Sequence, residues 1–179
     1  MTTCKVCKSD FVKTKPLQSV CGFECAMVHG HNKAKVIKAS AERKDRAVTK
    51  VKLDALKPKS HYAKQAQAAV NAFIRARDAG NPCISCGRHH QGAWHAGHYR
   101  STGAAPELRF EELNIHLQCA PCNTHLSGNI VNYRPRLIEK IGIEQVEWVE
   151  GKHDAKKYTK EELKAITKDY KAKEKALQK

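Results

Sequence analysis

The chain has 179 residues, 41% of them apolar, and 33 Lys and Arg against 18 Asp and Glu for a formal charge of +15. That length suits one domain with short arms and a single sizeable core. No run reaches the ~18 apolar residues that cross a bilayer, and MTTCKVCKSD is no secretory signal, so a membrane protein is excluded and cytoplasmic residence is expected.

So strong a positive charge predicts a polyanionic partner, with nucleic acid ahead of an anionic membrane. The eight cysteines then belong to a reducing compartment, where paired CxxC spacings favour metal over disulfides.

Taken in chain order, Cys4, Cys7, Cys21 and Cys25 open the sequence as CxxC-x13-CxxxC. Residues 1–31 are expected to form an N-terminal Cys4 zinc module. Residues 32–59 carry ten Lys and Arg and three Asp and Glu, with sparse large apolar residues. They predict an exposed basic helical arm or linker that ends at Pro58. A better helix follows, with Ser60 as its cap and Ala63, Ala66, Val70, Phe73 and Ile74 as its apolar stripe. Gly80 and the Asn81-Pro82 step stop it.

From Pro82 to Asn123 the pattern reads knuckle, strand, irregular loop, strand, knuckle. Cys83, Cys86, Cys119 and Cys122 give CxxC-x32-CxxC, with strands expected at 94–99 and 114–119. A helix is expected to leave the second knuckle over 123–129. Pro135 suits the first turn of another, closed by Gly142. IEQVEWV (143–149) predicts a short amphipathic helix. In the tail, Thr159 and Glu162 match a capping box, and Leu163, Ile166, Tyr170 and Leu177 continue at helical spacing. That stripe reads as ordinary packing ahead of a dimer seam. The domain reading is 60–150 for the central domain and 151–179 for a C-terminal amphipathic helix.

Each cysteine set supplies the two close pairs that a thiolate tetrahedron needs. Four cysteines leave no open position, so both zinc ions are expected to be structural and coupled to folding.

The segment AWHAGHYRSTGAAPELRFEELNIHLQCAPCN inside the second set carries the chemistry. A histidine ends the first strand, an asparagine opens the second, and another asparagine follows the last cysteine. This resembles the HNH or His-Me finger nucleases, a metal-pinned ββα unit, and is similar to the zinc-bearing phage endonuclease VII type. KPKSHYAKQAQ, IRARD, PCISCGRHHQG, HAGHYRS, ELRF and CNTHLSGN resemble the NinG (Rap) recombination proteins of lambdoid phages, most strongly over residues 57–142. The fold expected is α+β: a zinc-stabilised ββα core, flanking helices and the N-terminal module.

A neutral imidazole near pKa 6.5 is suited to take a proton from water at pH 7. His98 is the candidate base. The resemblance implies that Asn114 fixes the finger around it and that Asn123 is the first candidate ligand of a catalytic magnesium or manganese ion. His125 and His95 are further candidates. His95 lies on the opposite face of a regular strand from His98, and His125 and Asn123 point apart on a helix. Many HNH enzymes hold the metal with Asp or His directly before the base, where this chain has Gly97. His116 is a weaker catalytic candidate, and His89 and His90 are read as loop residues facing DNA or water. Arg100, Arg109, Arg134 and Arg136 are candidate phosphate contacts.

The resemblance implies a structure-specific endonuclease of phage recombination that cleaves Holliday junctions and D-loops by metal-dependent hydrolysis. Paired cuts imply a homodimer, and other recombination proteins are expected partners. The alternative is a non-catalytic, zinc-containing DNA-binding mediator of recombination.

Overall fold

The computed structural model describes residues 1–178. Backbone contacts divide the chain into two compact units, Met1–Lys57 and Pro58–Lys179. The architecture is mixed α+β with two small antiparallel sheets.

In the first unit, strands β1 (Thr2–Thr3) and β2 (Asp10–Phe11) pair around the first CxxC. Helix α1 (Phe23–Leu56) follows and has no buried residue. It starts inside the cysteine module, so the basic stretch at 32–59 is the continuation of a helix that already holds Cys25. Pro58 follows its end, as its missing N–H and fixed φ require.

The second unit begins with α2 (Lys59–Arg77), which buries Tyr62, Ala66, Ala69, Val70, Phe73 and Ile74. Pro58, not Ser60, precedes its first turn. Proline costs nothing there because early helical N–H groups have no partner within the helix. Antiparallel strands β3 (Trp94–His98) and β4 (Ile115–Cys119) pair in an unbroken register from Trp94↔Cys119 to His98↔Ile115. Two 3₁₀ turns, at Pro106–Leu108 and Glu112–Asn114, shape the intervening loop.

The helix expected over 123–129 is instead a single π turn, Pro121–His125. The next helix, α3 (Ile130–Ile141), starts after Asn129 in a left-handed conformation at φ 47°. Pro135 therefore lies inside α3 rather than at its first turn, where it forfeits one backbone bond. Gly142 (φ 87°) ends α3 and leads into α4 (Ile143–Glu150). Helix α5 (Lys160–Leu177) opens with the complete Thr159/Glu162 capping box.

Two cores form on either side of the β3–β4 hairpin. In one, α5 lays Leu163, Ile166 and Tyr170 on α2 together with Ala96, Phe110 and Ile115. The α5 stripe is thus used for packing within the unit, although Leu177 stays exposed. The other core joins Ile84, Tyr99 and Leu108 to Tyr133, Leu137, Val146 and Val149 from α3 and α4.

Between them runs a buried polar network. Arg77 donates to both Asp78 carboxylate oxygens, at 3.0 and 2.9 Å, and to the Ile115 carbonyl. Lys140 reaches the same carboxylate at 2.9 Å, and the Leu117 N–H donates to it. Asp78 is only 3% exposed. Burial alone would raise its pKa, but Arg77 and Lys140 more than offset this and hold it at about 2. His116, also buried, donates Nε2–H to the Leu113 carbonyl and accepts Arg77 at Nδ1. Desolvation, with Lys140 and Arg77 nearby, lowers its pKa to about 4.

Candidate metal centres and catalytic cavity

Each CxxC turns the chain through the same local geometry. Cys4 N–H donates to Ser9 and Lys8 N–H to Cys4, while Cys83 N–H donates to Arg88 and Gly87 N–H to Cys83. The residue after each second cysteine, Lys8 or Gly87, has φ of 64° or 67°. Glycine takes that conformation freely and lysine at some cost. At Gly87 a side chain would also meet the Arg136 guanidinium. A backbone N–H also points at one sulfur of each set: Cys21 N–H at Cys4 and Cys119 N–H at Cys83, both at 3.3 Å.

The four ligand atoms of Cys4, Cys7, Cys21 and Cys25 lie within 4.8 Å of one another, as do those of Cys83, Cys86, Cys119 and Cys122. A tetrahedral zinc with Zn–S near 2.3 Å sets its sulfurs about 3.8 Å apart. Cys21–Cys25 at 3.6 Å and Cys86–Cys119 at 4.0 Å bracket that value. Burial, reinforced by the Cys83 and Cys122 thiols, pushes the Cys119 thiol up to about 12. Sulfurs crowded in this way repel as thiolates, and a dication relieves the repulsion. Both clusters can bind metal ions and are consistent with structural zinc.

The β3–β4 loop is pinned by Asn114, which is fully buried. Its Oδ1 accepts the Arg100 N–H at 2.8 Å, and its Nδ2 donates to the Arg100 and Leu108 carbonyls at 3.0 and 3.2 Å. All of its side-chain polarity is spent on holding the loop's two ends together. The loop in turn presents the Arg109 carbonyl, which accepts Nε2–H of His98 at 3.0 Å. Nδ1 is left as the lone-pair nitrogen. Burial lowers the His98 pKa below its usual 6.5, so the imidazole is neutral at pH 7.

His98 and Asn123 line one shallow cavity of about 250 Å³ with Ser101, Thr102, Ser127 and Gly128. Asn123 Nδ2 lies 2.9 Å from His95 Nδ1. The structure thus joins Asn123 both to His95 and to the cavity that His98 lines. The regular ladder keeps His95 and His98 on opposite faces, with no bulge at Gly97. A side chain at Gly97 would run into the Gln118 amide. His125 is exposed, outside that cavity. His116 belongs to the buried network and not to the cavity.

Three of the four candidate arginines have partners within the fold. Arg100 donates to the Val149 and Gly151 carbonyls at the end of α4. Arg109 donates to Gln67 on α2, at 3.0 Å, and so steadies the carbonyl that orients His98. Arg134 forms a two-pronged pair with Glu150 at 2.7 and 2.9 Å, and Tyr99 donates to the same carboxylate. Those partners lie up to 51 residues away, so no local sequence signal shows them.

Two four-cysteine clusters able to hold metal ions, one of them framing an asparagine-pinned loop, on a mixed α+β scaffold mark the class of protein. Its family follows from comparison: the model described as Bacteriophage Lambda NinG protein matches residues 1–179, and the chain belongs to the NinG family. It is 56% identical over 128 residues to Protein ninG of Salmonella phage P22 and, equally, of Escherichia phage lambda, covering 72% of this chain and 63% of each relative. Protein ninG of Escherichia phage 933W is 55% identical over the same length. The chain therefore spans about 63% of the length of those first two relatives. No solved structure matches.

Proposed function

We propose that this chain is a structure-specific endonuclease that hydrolyses phosphodiesters in branched DNA such as Holliday junctions and D-loops. The observation that carries the reading is the state of His98: neutral, tied at Nε2 to the Arg109 carbonyl, and lining the same cavity as Asn123. A fixed neutral imidazole with one free nitrogen is what a general base for water requires.

In this mechanism Nδ1 of His98 takes the proton of the attacking water, and the Arg109 carbonyl steadies the imidazolium that results. Asn114 is a positioning residue: it holds the loop that bears that carbonyl. Gln67 acts one step further back, through Arg109.

The cavity is lined by neutral donors and no carboxylate. Such a set fits a magnesium or manganese ion only as one shared with the DNA, whose phosphate oxygens supply the negative charge. Asn123 is the side chain to hold it, with His95 at its other edge. When bound, the ion would neutralise charge on the phosphate and on the departing oxygen. Two coordinated cuts across a four-way junction require two such sites, so the proposal includes a homodimer.

His98→Ala should lower junction cleavage by roughly 10²- to 10⁴-fold while junction binding and zinc content stay near wild type. If this variant cuts at the wild-type rate, the nuclease reading fails. Binding without cleavage by the wild-type protein, with magnesium or manganese present, would favour a non-catalytic recombination mediator.

A further inference from the structure

Some arginines of the second unit are held by partners within the fold and others are not. Arg77, Arg100, Arg109 and Arg134 are committed to partners within the fold. The side chains of Arg75 and His89 are exposed and make no hydrogen bond or ion pair among the described residues. These two free groups converge on a cavity of about 320 Å³ between the end of α2 and the loop that follows the Cys83–Cys86 knuckle. His90, Trp94 and the buried Leu117 complete its working surface, and no acidic side chain lines it. It shares no residue with the cavity of His98 and Asn123.

Trp94 is held unusually well for a half-exposed aromatic. Its indole N–H donates to the His90 carbonyl at 3.2 Å, and the two rings meet edge to face at 6.1 Å. Its ring packs against the cluster of Cys83, Cys119 and Cys122. A ring already fixed in place loses little freedom when a second flat ring stacks on it. An unpaired guanidinium and an unpaired imidazole donor beside a partly exposed aromatic are a combination that grips single-stranded nucleic acid: stacking on the base, hydrogen bonds and charge on the phosphates. A base inside a duplex is stacked on both faces and cannot enter.

We propose that this cavity is a second DNA subsite, which takes an unpaired nucleobase onto Trp94 and its flanking phosphates onto Arg75 and His89. This deepens the branched-DNA reading above and rests on it, since the displaced strand of a D-loop exposes such bases. The subsite needs neither His98 nor a catalytic ion.

The test uses the full-length, zinc-loaded Trp148→Phe variant, in which Trp94 is the sole tryptophan. It is titrated with labelled oligothymidylate, a blunt duplex and a four-way junction, following anisotropy for binding and fluorescence for stacking. Oligothymidylate should quench Trp94 saturably, and the duplex should not at equal occupancy. Arg75→Ala combined with His89→Ala, both on the surface, should weaken oligothymidylate binding at least five-fold with zinc content unchanged. Trp94→Leu should do the same wherever its zinc content shows it folded. Oligothymidylate binding without Trp94 quenching, or undiminished binding by the double variant, overturns the subsite. Junction binding and cleavage that survive either result leave the nuclease reading standing. Failure to bind any of the three DNAs overturns both.

Discussion

Asn114 illustrates how much one side chain can decide. Its three hydrogen bonds close a loop of more than a dozen residues. Asn114→Ala leaves the Arg100 N–H and carbonyl without their partner, while the Leu108 carbonyl keeps the Glu111 N–H, which costs on the order of 2–3 kcal/mol. Thermal melting should show that loss. Under the proposed mechanism, cleavage should fall further than the melting shift alone accounts for, because the Arg109 carbonyl is no longer held against His98. At this scale the sequence was legible wherever spacing is chemistry: the eight cysteines, His98 and Asn114 lie in recognisable local patterns. It marks Arg100, Arg109 and Arg134 only as candidate phosphate contacts and does not show the partners within the fold that come from distant segments. The Arg77–Asp78 pair was missed too, although an Arg-Asp step at the end of an apolar helix is a readable hint of a buried ion pair. Trp94 and Arg75 carry no joint sequence signal, because only the folded chain brings them to one cavity.

Among the elements, those with local signals are placed well. Helix α5 begins at its capping box, and Thr159→Ala should cost about 1 kcal/mol in a melting experiment. Helix α3 starts earlier than Pro135 suggests, for a physical reason. Its start rests on a left-handed Asn129 with no side-chain cap, whereas Pro135 looks like a first-turn residue and is not one.

The junction of α2, β4 and α3 also sets a pH dependence. His116 has its pKa lowered to about 4 in the folded chain, against about 6.5 when unfolded. Below 6.5 the unfolded chain therefore binds the extra proton, and stability is lost as pH falls from 6.5 towards 4. Asp78, held at about 2, extends the loss below pH 4. His116→Gln should melt at a lower temperature at pH 7 but with a flatter profile between pH 4 and 6.5. An unchanged profile would remove His116 from this account.

For the molecule as a whole, the second unit owns both apolar cores and a complete Cys4 cluster. A fragment of residues 58–179 should therefore fold alone and retain one equivalent of zinc, where the full chain holds two. Elemental analysis after purification without added metal checks both numbers. Chelation should lower the melting temperature of that fragment, since Cys119 ends β4 within the same cluster as Cys83, Cys86 and Cys122. The charge of +15 gives a further expectation for the DNA reading: binding should weaken steeply with salt as counterion release is lost.

Gly97 and Gln118 have a consequence for how this chain can change. The Gln118 amide fills the space that a side chain at position 97 would need, and Gln118 Oε1 has no partner there among the described residues. The two positions are therefore epistatic. Gly97→Asp made alone should be strongly destabilising, because the buried Gln118 amide has to give way. Made after Gln118→Ala, it should be tolerated. Melting temperatures of the two single variants and the double variant would show this as strong non-additivity. A side chain at position 97 is therefore reached by one order of steps and blocked in the other, because the buried Gln118 amide must leave before the new side chain can enter.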